Sequence, residues 1–293
     1  TQSLKANGVK YEQIDLLTLE NGDNDFDEET IVKRLERKDV KLVEIQRSRG
    51  YSARASLTID KIEKIIQAIR SVNQDVIIMV DNCYGDFVED KEPTNVGADV
   101  IVGSHMKNLG GGIAKTGGYI VGKKEYILDI AETFSAPGLG KNIGANLNTL
   151  LSFYKGLYLA PSVVCNALKT MTFASAMLEK LGFKVDPTWD EKRTDIIQTI
   201  DLFKPENLVN FCVGIQKGSP IESYVTPVPA PMPGYADEEV MAGGSFISGS
   251  TIELSCDGPM KYPYTSYMQG GLTYEYGKLG ILIGLNEIIK TIK

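Results

Sequence analysis

The sequence has 293 residues, of which 31 are Lys or Arg and 38 are Asp or Glu, so its formal net charge is −7. An acidic chain lacks the basic surface that neutralises nucleic-acid phosphates, which argues against nucleic acid as a partner. With 43% hydrophobic and 24% charged residues, the composition is typical of a globular protein and excludes disordered and fibrous classes.

Three further classes of protein are not expected. The longest apolar runs, such as residues 76–80 and 281–285, are far shorter than the roughly 18 residues that span a bilayer, so no membrane helix is predicted. The four cysteines form no C-x-x-C pair, which favours reduced thiols in a cytoplasmic protein over a disulfide framework. His, Cys and carboxylate residues show no metal-ligand spacing, so no metal site is predicted.

The first half of the chain alternates short apolar runs with a helical pattern, which predicts a mainly parallel sheet covered by helices. Strands are predicted at residues 41–45, 76–80, 99–103 and 119–121. Between the first two, isoleucines recur at spacings of three and four from Ile62 onward. This period predicts an amphipathic helix, which Thr58 or Asp60 can cap.

The second half has a different character. A long helical segment is predicted over residues 144–181, in which Pro161 allows a break or a kink. Strand candidates follow at 245–247 and 251–254, and a final helix is predicted over 274–292. We therefore predict an α/β large domain over residues 1–160 and a smaller C-terminal α+β domain over residues 161–293.

Three of the predicted strands end in polar loops, with the sequences IQRSRG, VDNCYGD and GSHMKNLGGG. In open parallel sheets, ligands bind at the carboxyl edge, where such loops meet. The third loop contains Lys107 shortly before Gly110, where we expect the backbone to pass close to a ligand. A partly desolvated lysine can lose its proton and form a Schiff base, although an exposed lysine is the commoner case.

Asp81 ends the most apolar of these strands, where a buried carboxylate needs a partner. A protonated pyridine nitrogen would provide one, and the alternative is an ordinary turn residue. Asp81 and Lys107 together, 26 positions apart, form the paired signature of fold type I pyridoxal phosphate (PLP) enzymes. In that context Ser104 can bind a phosphate oxygen, and Tyr84 can reach the phenolic oxygen of the cofactor.

Other candidates carry weaker signals. Arg47 and Arg49 lie nearest the end of the first strand, where a guanidinium fork could hold a substrate carboxylate or the cofactor phosphate; a solvated basic loop is about equally expected for each. Tyr51 is a candidate for the lining of the substrate pocket, or for simple packing.

Cys83 could touch the cofactor face, or be a small buried residue. A packing role is favoured for His105. Arg54, in the same loop as Arg47, and Lys261 are weaker candidates for contact with a substrate carboxylate.

Four longer stretches carry a family resemblance. VDNCYGDFVE, GADVIVGSHMKNLGGGIAKTGGYIVG, IQRSRGYS and SGSTIELSCDGPMKYPYTSYMQGGLTYEY are similar to the PLP-dependent family known as methionine gamma-lyase-like or aluminium-resistance proteins, relatives of cystathionine beta-lyase. The resemblance implies the aspartate-aminotransferase fold and a homotetramer built as a dimer of dimers. It also implies that Lys107 forms the Schiff base, Asp81 pairs with the pyridinium nitrogen and Ser104 helps to hold the phosphate.

One departure concerns the beginning of the chain. In such enzymes an N-terminal portion supplies a Gly-containing phosphate loop and part of the sheet, and residues 1–40 contain neither feature. We therefore expect that an N-terminal part is missing here and that the large domain is partial.

The function implied by the resemblance is that of a PLP-dependent carbon-sulfur lyase. It would act on a sulfur-containing amino acid, with Lys107 removing the Cα proton and a thiol leaving by elimination. Two alternatives stay open. Another fold type I reaction, such as an aminotransferase or aldolase reaction, would use the same Lys and Asp. A non-catalytic scaffold of the same fold is the other alternative.

Overall fold

The computed structural model describes residues 3–134, 138–142, 148–243 and 252–292. Two short strands, β1 (Leu17–Thr18) and β2 (Asn24–Asp25), pair near the beginning and precede helix α1 (Glu28–Leu35). A four-stranded sheet follows, formed by β3 (Leu42–Gln46), β4 (Ile77–Asp81), β5 (Val100–Ser104) and β6 (Gly118–Gly122). The first three of its strands are parallel and β6 is antiparallel to β5. The four predicted strands are confirmed, each within one residue at either end.

Helix α2 (Ile59–Val72) joins β3 to β4 and covers one face of this sheet. Its isoleucines share one face of the helix and are almost completely buried, as at Ile62 and Ile69, because they pack against the apolar strands. The N-cap is Thr58, whose side-chain oxygen accepts the Lys61 N–H at 3.3 Å, and Asp60 lies in the first turn. The predicted helix and one of its two predicted caps are therefore confirmed.

A second sheet has six strands, antiparallel at every pairing, in the order β7-β8-β12-β11-β10-β9. Its strands are β7 (Lys184–Asp186), β8 (Gln198–Asp201), β9 (Ala230–Pro231), β10 (Glu238–Ala242), β11 (Ser255–Pro259) and β12 (Thr265–Gln269). One face is apolar and packs on helices α4 (Leu150–Lys180), α5 (Pro205–Lys217) and α6 (Tyr274–Ile292). Helix α6 confirms the predicted final helix.

The strand candidates of the second half need correction. Residues 252–254 form a bend, and the strand begins only at Ser255. Ile252 and Leu254 are buried in two different apolar clusters, so their side chains reflect core packing rather than sheet pairing. The other candidate, residues 245–247, lies outside the described residues.

The long helix α4 connects the two halves of the chain. It runs through residues 160 and 161, where the domain boundary is predicted, and holds Pro161 within it. Its first half packs on the turn that follows β5, and its second half packs on the apolar face of the second sheet. Helix α3 (Lys124–Phe134) precedes it, and residues 144–147 of the predicted helical segment lie outside the described residues. Within the described ranges, no helix has the length and apolarity to cross a membrane.

Candidate active site

The loops after β3, β4 and β5 meet at one edge of the four-stranded sheet. The Arg47 N–H donates to the Asp81 carbonyl at 3.1 Å, and the Asn82 N–H donates to the Val102 carbonyl at 2.9 Å. These bonds continue the parallel ladder past the strand ends, so the three loops begin side by side. The predicted convergence of polar loops at this edge is therefore present in the structure.

Lys107 lies in the loop after β5, and its side chain reaches the loop after β4. Its Nζ is 4.6 Å from the centroid of the Tyr84 ring, a cation–π contact. Burial lowers the pKa of Lys107, but Tyr84, Cys83 and Asp81 raise it more, so the net pKa lies above that of an ordinary lysine. Four sequence-predicted residues are thus brought together, and the amine holds its proton more tightly than burial alone would allow.

Asp81 and Cys83 form the beginning of the loop after β4. Asp81 Oδ1 accepts the Cys83 N–H at 3.0 Å, which fixes the carboxylate at the end of the strand. Burial raises the pKa of Cys83 to about 12, with Lys107 opposing the rise and Asp81 adding to it. Cys83 is therefore a neutral thiol at physiological pH rather than a nucleophilic thiolate.

Tyr84 has a left-handed backbone conformation, with φ of 69°. Such a conformation is unfavourable for a residue with a side chain, by about 1–2 kcal/mol, and persists only when the surroundings hold it. Two groups do so here, because the Tyr84 carbonyl accepts the Ile196 N–H at 3.1 Å and the Asn108 Nδ2 at 3.0 Å. Asn108 is the residue next to Lys107, so the same bond ties the lysine turn to Tyr84.

Ser104 is the last residue of β5 and His105 follows it, and the two side chains make different contacts. Ser104 Oγ accepts the Met106 N–H at 3.0 Å, which leaves the hydroxyl hydrogen for another acceptor. His105 stacks on the Phe153 ring with centroids 4.6 Å apart and meets the Tyr119 ring edge-on. Burial lowers the pKa of His105, so the imidazole is a neutral packing group. The favoured packing role of His105 agrees with these contacts.

The glycines after Lys107 serve protein packing. A Cβ on Gly110 would lie 1.6 Å from the His105 carbonyl oxygen, and one on Gly111 would lie 2.6 Å from the Gly156 carbonyl oxygen. Gly111 also has a left-handed φ of 54°. The loop therefore approaches its own turn and α4 closely at these glycines. The expected close approach of the backbone to a ligand stays a prediction.

Arg47 is completely buried and surrounded by protein partners. Its Nη1 donates to Asn82 Oδ1 at 2.7 Å, and its guanidinium pairs with Glu89 at 3.2 Å and Glu92 at 3.5 Å. It also donates to Thr194 Oγ1 at 3.3 Å, in the second half of the chain. This environment favours a structural role for Arg47 over the predicted contact with a substrate carboxylate.

The remaining predicted substrate residues bridge the two sheets. Arg49 Nη1 donates to Asp186 Oδ2 at 2.5 Å and to Thr199 Oγ1 at 3.2 Å, both on the second sheet. The Tyr51 hydroxyl donates to the buried Asp257 on β11. The contacts of Arg49 and Tyr51 fasten the loop after β3 to the polar face of the second sheet, and they do not place either side chain beside Lys107.

The two weaker basic candidates also have protein partners. Arg54 donates to backbone carbonyls of its own loop, those of Gln46, Ser48 and Ala55. Lys261 is 70% exposed, with its Nζ 4.0 Å from Asp237.

The sequence interpretation missed a buried polar cluster next to the lysine. It consists of Asn82, Asp86, Asn108 and Tyr119, all held by mutual hydrogen bonds. In the sequence, Asn82 and Asp86 belong to the loop VDNCYGD, whose residue types are common in turns. Their position directly after a strand that ends in Asp81 was the available signal, because that edge is where ligands bind.

A family model described as methionine gamma-lyase matches residues 1–289 of the chain. An uncharacterised 33.9 kDa protein of Lactobacillus delbrueckii subsp. bulgaricus is 46% identical over 286 residues, covering 98% of this chain and 92% of the relative. YnbB of Bacillus subtilis (strain 168) is 45% identical over 288 residues, covering 98% of this chain and 67% of YnbB.

The chain is also similar to solved structures of lyases. A carbon-sulfur lyase involved in aluminium resistance from Clostridium novyi NT is 45% identical, with a TM-score of 0.89 over 98% of this chain. The chain covers 66% of that structure, so it spans about two thirds of its length. CalE6, a methionine gamma lyase from Micromonospora echinospora, is 16% identical over 95% of this chain and 71% of CalE6, with a TM-score of 0.58, and shows a shared fold alone. The resemblance predicted from the motifs is confirmed, and the chain belongs to the methionine gamma-lyase family.

Proposed function

We propose that the protein is a PLP-dependent carbon-sulfur lyase that acts on a sulfur-containing amino acid. The observation that carries the proposal is the position of Lys107, whose amine packs on Tyr84 and whose pKa responds to Asp81 at the end of the neighbouring strand. Membership of the family and the likeness to a carbon-sulfur lyase support it.

The residues at this edge fit pyridoxal phosphate. The cofactor needs a primary amine for its aldehyde, a carboxylate for its ring nitrogen and donors for its phosphate. Lys107 and Asp81 provide the first two, and the Ser104 hydroxyl is a donor for the third, because its oxygen is turned toward the Met106 N–H. Tyr84 contacts Lys107 and would lie beside a cofactor bound to that lysine.

In the proposed reaction, Asp81 and Lys107 would have different roles. When bound, pyridoxal phosphate supplies a ring that accepts the negative charge developing at the substrate Cα. Asp81 holds a proton on the ring nitrogen, because a carboxylate fixed at a strand end favours the charged partner. Lys107 Nζ removes the Cα proton as general base. Its raised pKa means that the amine must first release its own proton.

A coupled assay tests the proposal. The purified protein is supplied with pyridoxal phosphate and then with methionine, cystathionine, cysteine or homocysteine, and the released thiol or hydrogen sulfide, ammonia and 2-oxo acid are measured together. A lyase releases the three products in equal amounts, with Lys107→Ala as the inactive control. An aminotransferase would form 2-oxo acid without thiol and only with a second 2-oxo acid present. An inert protein that binds the cofactor would be a scaffold, and either outcome contradicts the proposal.

A further inference from the structure

Two buried asparagines converge on one residue, Asp86. Asn82 follows Asp81 directly in the chain, and its Nδ2 donates to Asp86 Oδ1 at 2.8 Å. Asn108 follows Lys107 directly, and its Nδ2 donates to the Asp86 carbonyl oxygen at 2.9 Å. Both asparagines are completely buried. A single residue thus contacts the neighbours of both groups that the proposed reaction needs.

Asp86 is itself held firmly in place. It is 3% exposed, and its Oδ1 also accepts a hydrogen bond from the Tyr119 hydroxyl on β6. Its carboxyl is therefore anchored to two different elements, the loop after β4 and the antiparallel strand β6. Within the described residues, Asp86 Oδ2 has no hydrogen-bond partner, so the anchoring rests on Oδ1.

Asp86 can accept these hydrogen bonds whether its carboxyl is charged or neutral. Glu92 and Arg47 lie close to it, and Asn82 bonds to both of them, to Glu92 Oε2 at 2.8 Å and to Arg47 Nη1 at 2.7 Å. Burial raises the pKa of Asp86 to about 7, Glu92 adds to the rise, and the Tyr119 and Asn82 hydrogen bonds and Arg47 oppose it. Either protonation state leaves Oδ1 able to accept from Asn82 and Tyr119.

We propose that Asp86 is a positioning residue that fixes the separation between Asp81 and Lys107. Its side chain holds the Asp81 loop through Asn82, and its backbone carbonyl holds the Lys107 turn through Asn108. The inference rests on the proposed function, because the separation matters only if both groups meet one cofactor. A displacement of about 1 Å in such an arrangement costs on the order of 100-fold in rate.

The test uses the full chain and measures how fast Lys107 bonds to added pyridoxal phosphate, by absorbance and by circular dichroism of the bound cofactor. Asp86→Leu removes the acceptor, whereas Asp86→Asn keeps an oxygen at Oδ1. Asp99→Asn is the matched control, because Asp99 is equally buried but lies at the opposite end of β5, paired with Arg70 and Lys123.

We expect Asp86→Leu to slow bond formation by on the order of 100-fold and to change the dichroism of the bound cofactor. Asp86→Asn should restore the rate to within a few-fold of the unaltered chain. Asp99→Asn should lower the unfolding midpoint while leaving the rate unchanged. An unchanged rate in a folded Asp86→Leu variant overturns the inference.

If Asp86→Leu does not fold, Tyr119→Phe decides the question, because it removes one of the two bonds to Oδ1 and keeps the ring. A several-fold slower rate supports the inference, and an unchanged rate overturns it. Failure of the unaltered chain to bond the cofactor at Lys107 would instead contradict the proposed function, so the two failures are distinct.

Discussion

The Lys107 amine and the Tyr84 ring lie 4.6 Å apart, nitrogen to centroid, although the two residues belong to loops that follow different strands. Tyr84 has a left-handed backbone, which Asn108 and the Ile196 N–H stabilise through its carbonyl. The lysine, its neighbour in sequence and the strained tyrosine therefore form one unit. That unit stands beside Asp81 at the carboxyl edge of the sheet, the position expected of a ligand site.

Replacing Asp81 by Asn should leave the cofactor bound but cut turnover by orders of magnitude. A neutral amide cannot keep the ring nitrogen protonated, so charge at the substrate Cα is no longer stabilised. The amide oxygen can still accept the Cys83 N–H, so the loop should keep its shape. Cofactor titration and steady-state rates on the same samples measure both effects, and a near-normal rate would remove Asp81 from the mechanism.

Arg47→Met should destabilise the fold by about 3–5 kcal/mol, the usual cost of removing one partner from a buried ion pair. Glu89 and Glu92 would lose their buried guanidinium partner. Arg37→Met is the control, since that side chain is 65% exposed and its loss should change stability by less than about 0.5 kcal/mol. Urea unfolding compares the two. Equal midpoints would show that Arg47 is not structural and would revive its predicted contact with substrate.

Gly156→Ala should be destabilising, although an Ala normally stabilises a helix relative to Gly by about 1 kcal/mol. The new Cβ would lie 2.2 Å from the Gly110 carbonyl oxygen, so either α4 or the lysine loop must move. We expect a loss of about 1–3 kcal/mol from overpacking, together with weaker cofactor binding. Lys155→Ala, at an exposed position of the same helix, is the neutral comparison. Greater stability for Gly156→Ala would contradict the packing described here.

The contribution of Asp257 to stability should fall as the pH rises from about 4 to about 8. Burial raises the pKa of Asp257 to about 8, whereas in the unfolded chain it is about 3.9. Between these values the folded chain binds a proton that the unfolded chain has released, so raising the pH favours unfolding. Asp257→Asn should flatten this slope, and Asp60→Asn, at an exposed site, should not. Urea midpoints at several pH values measure the slope, and an Asp257→Asn slope equal to that of the unaltered chain would contradict the assignment to Asp257.

The sequence predicted the four-stranded sheet because its strands are short, apolar and bounded by polar loops. Asp81 and Lys107 could be paired for the same reason, since residues at the ends of neighbouring parallel strands must lie near each other. The strand β11 was missed because its sequence, SCDGP, is poor in residues that favour strands, and its pairing depends on tertiary contacts.

The role of Arg47 could not be predicted from the sequence, because its partly buried acidic partners are 42 and 45 residues away and resemble exposed carboxylates in the sequence. The glycines after Lys107 were likewise explained only by their contacts with His105 and α4. The homotetramer, the cytoplasmic location and the bound cofactor stay predictions.

The most direct test of the proposed site is to locate the covalent bond to the cofactor. The chain is incubated with pyridoxal phosphate, reduced with borohydride and digested, and mass spectrometry identifies the modified lysine. We predict one adduct, on Lys107, that disappears in Lys107→Ala and persists in Lys115→Ala, an exposed lysine of the same Gly-rich loop. An adduct on another lysine, with turnover retained in Lys107→Ala, would contradict the account.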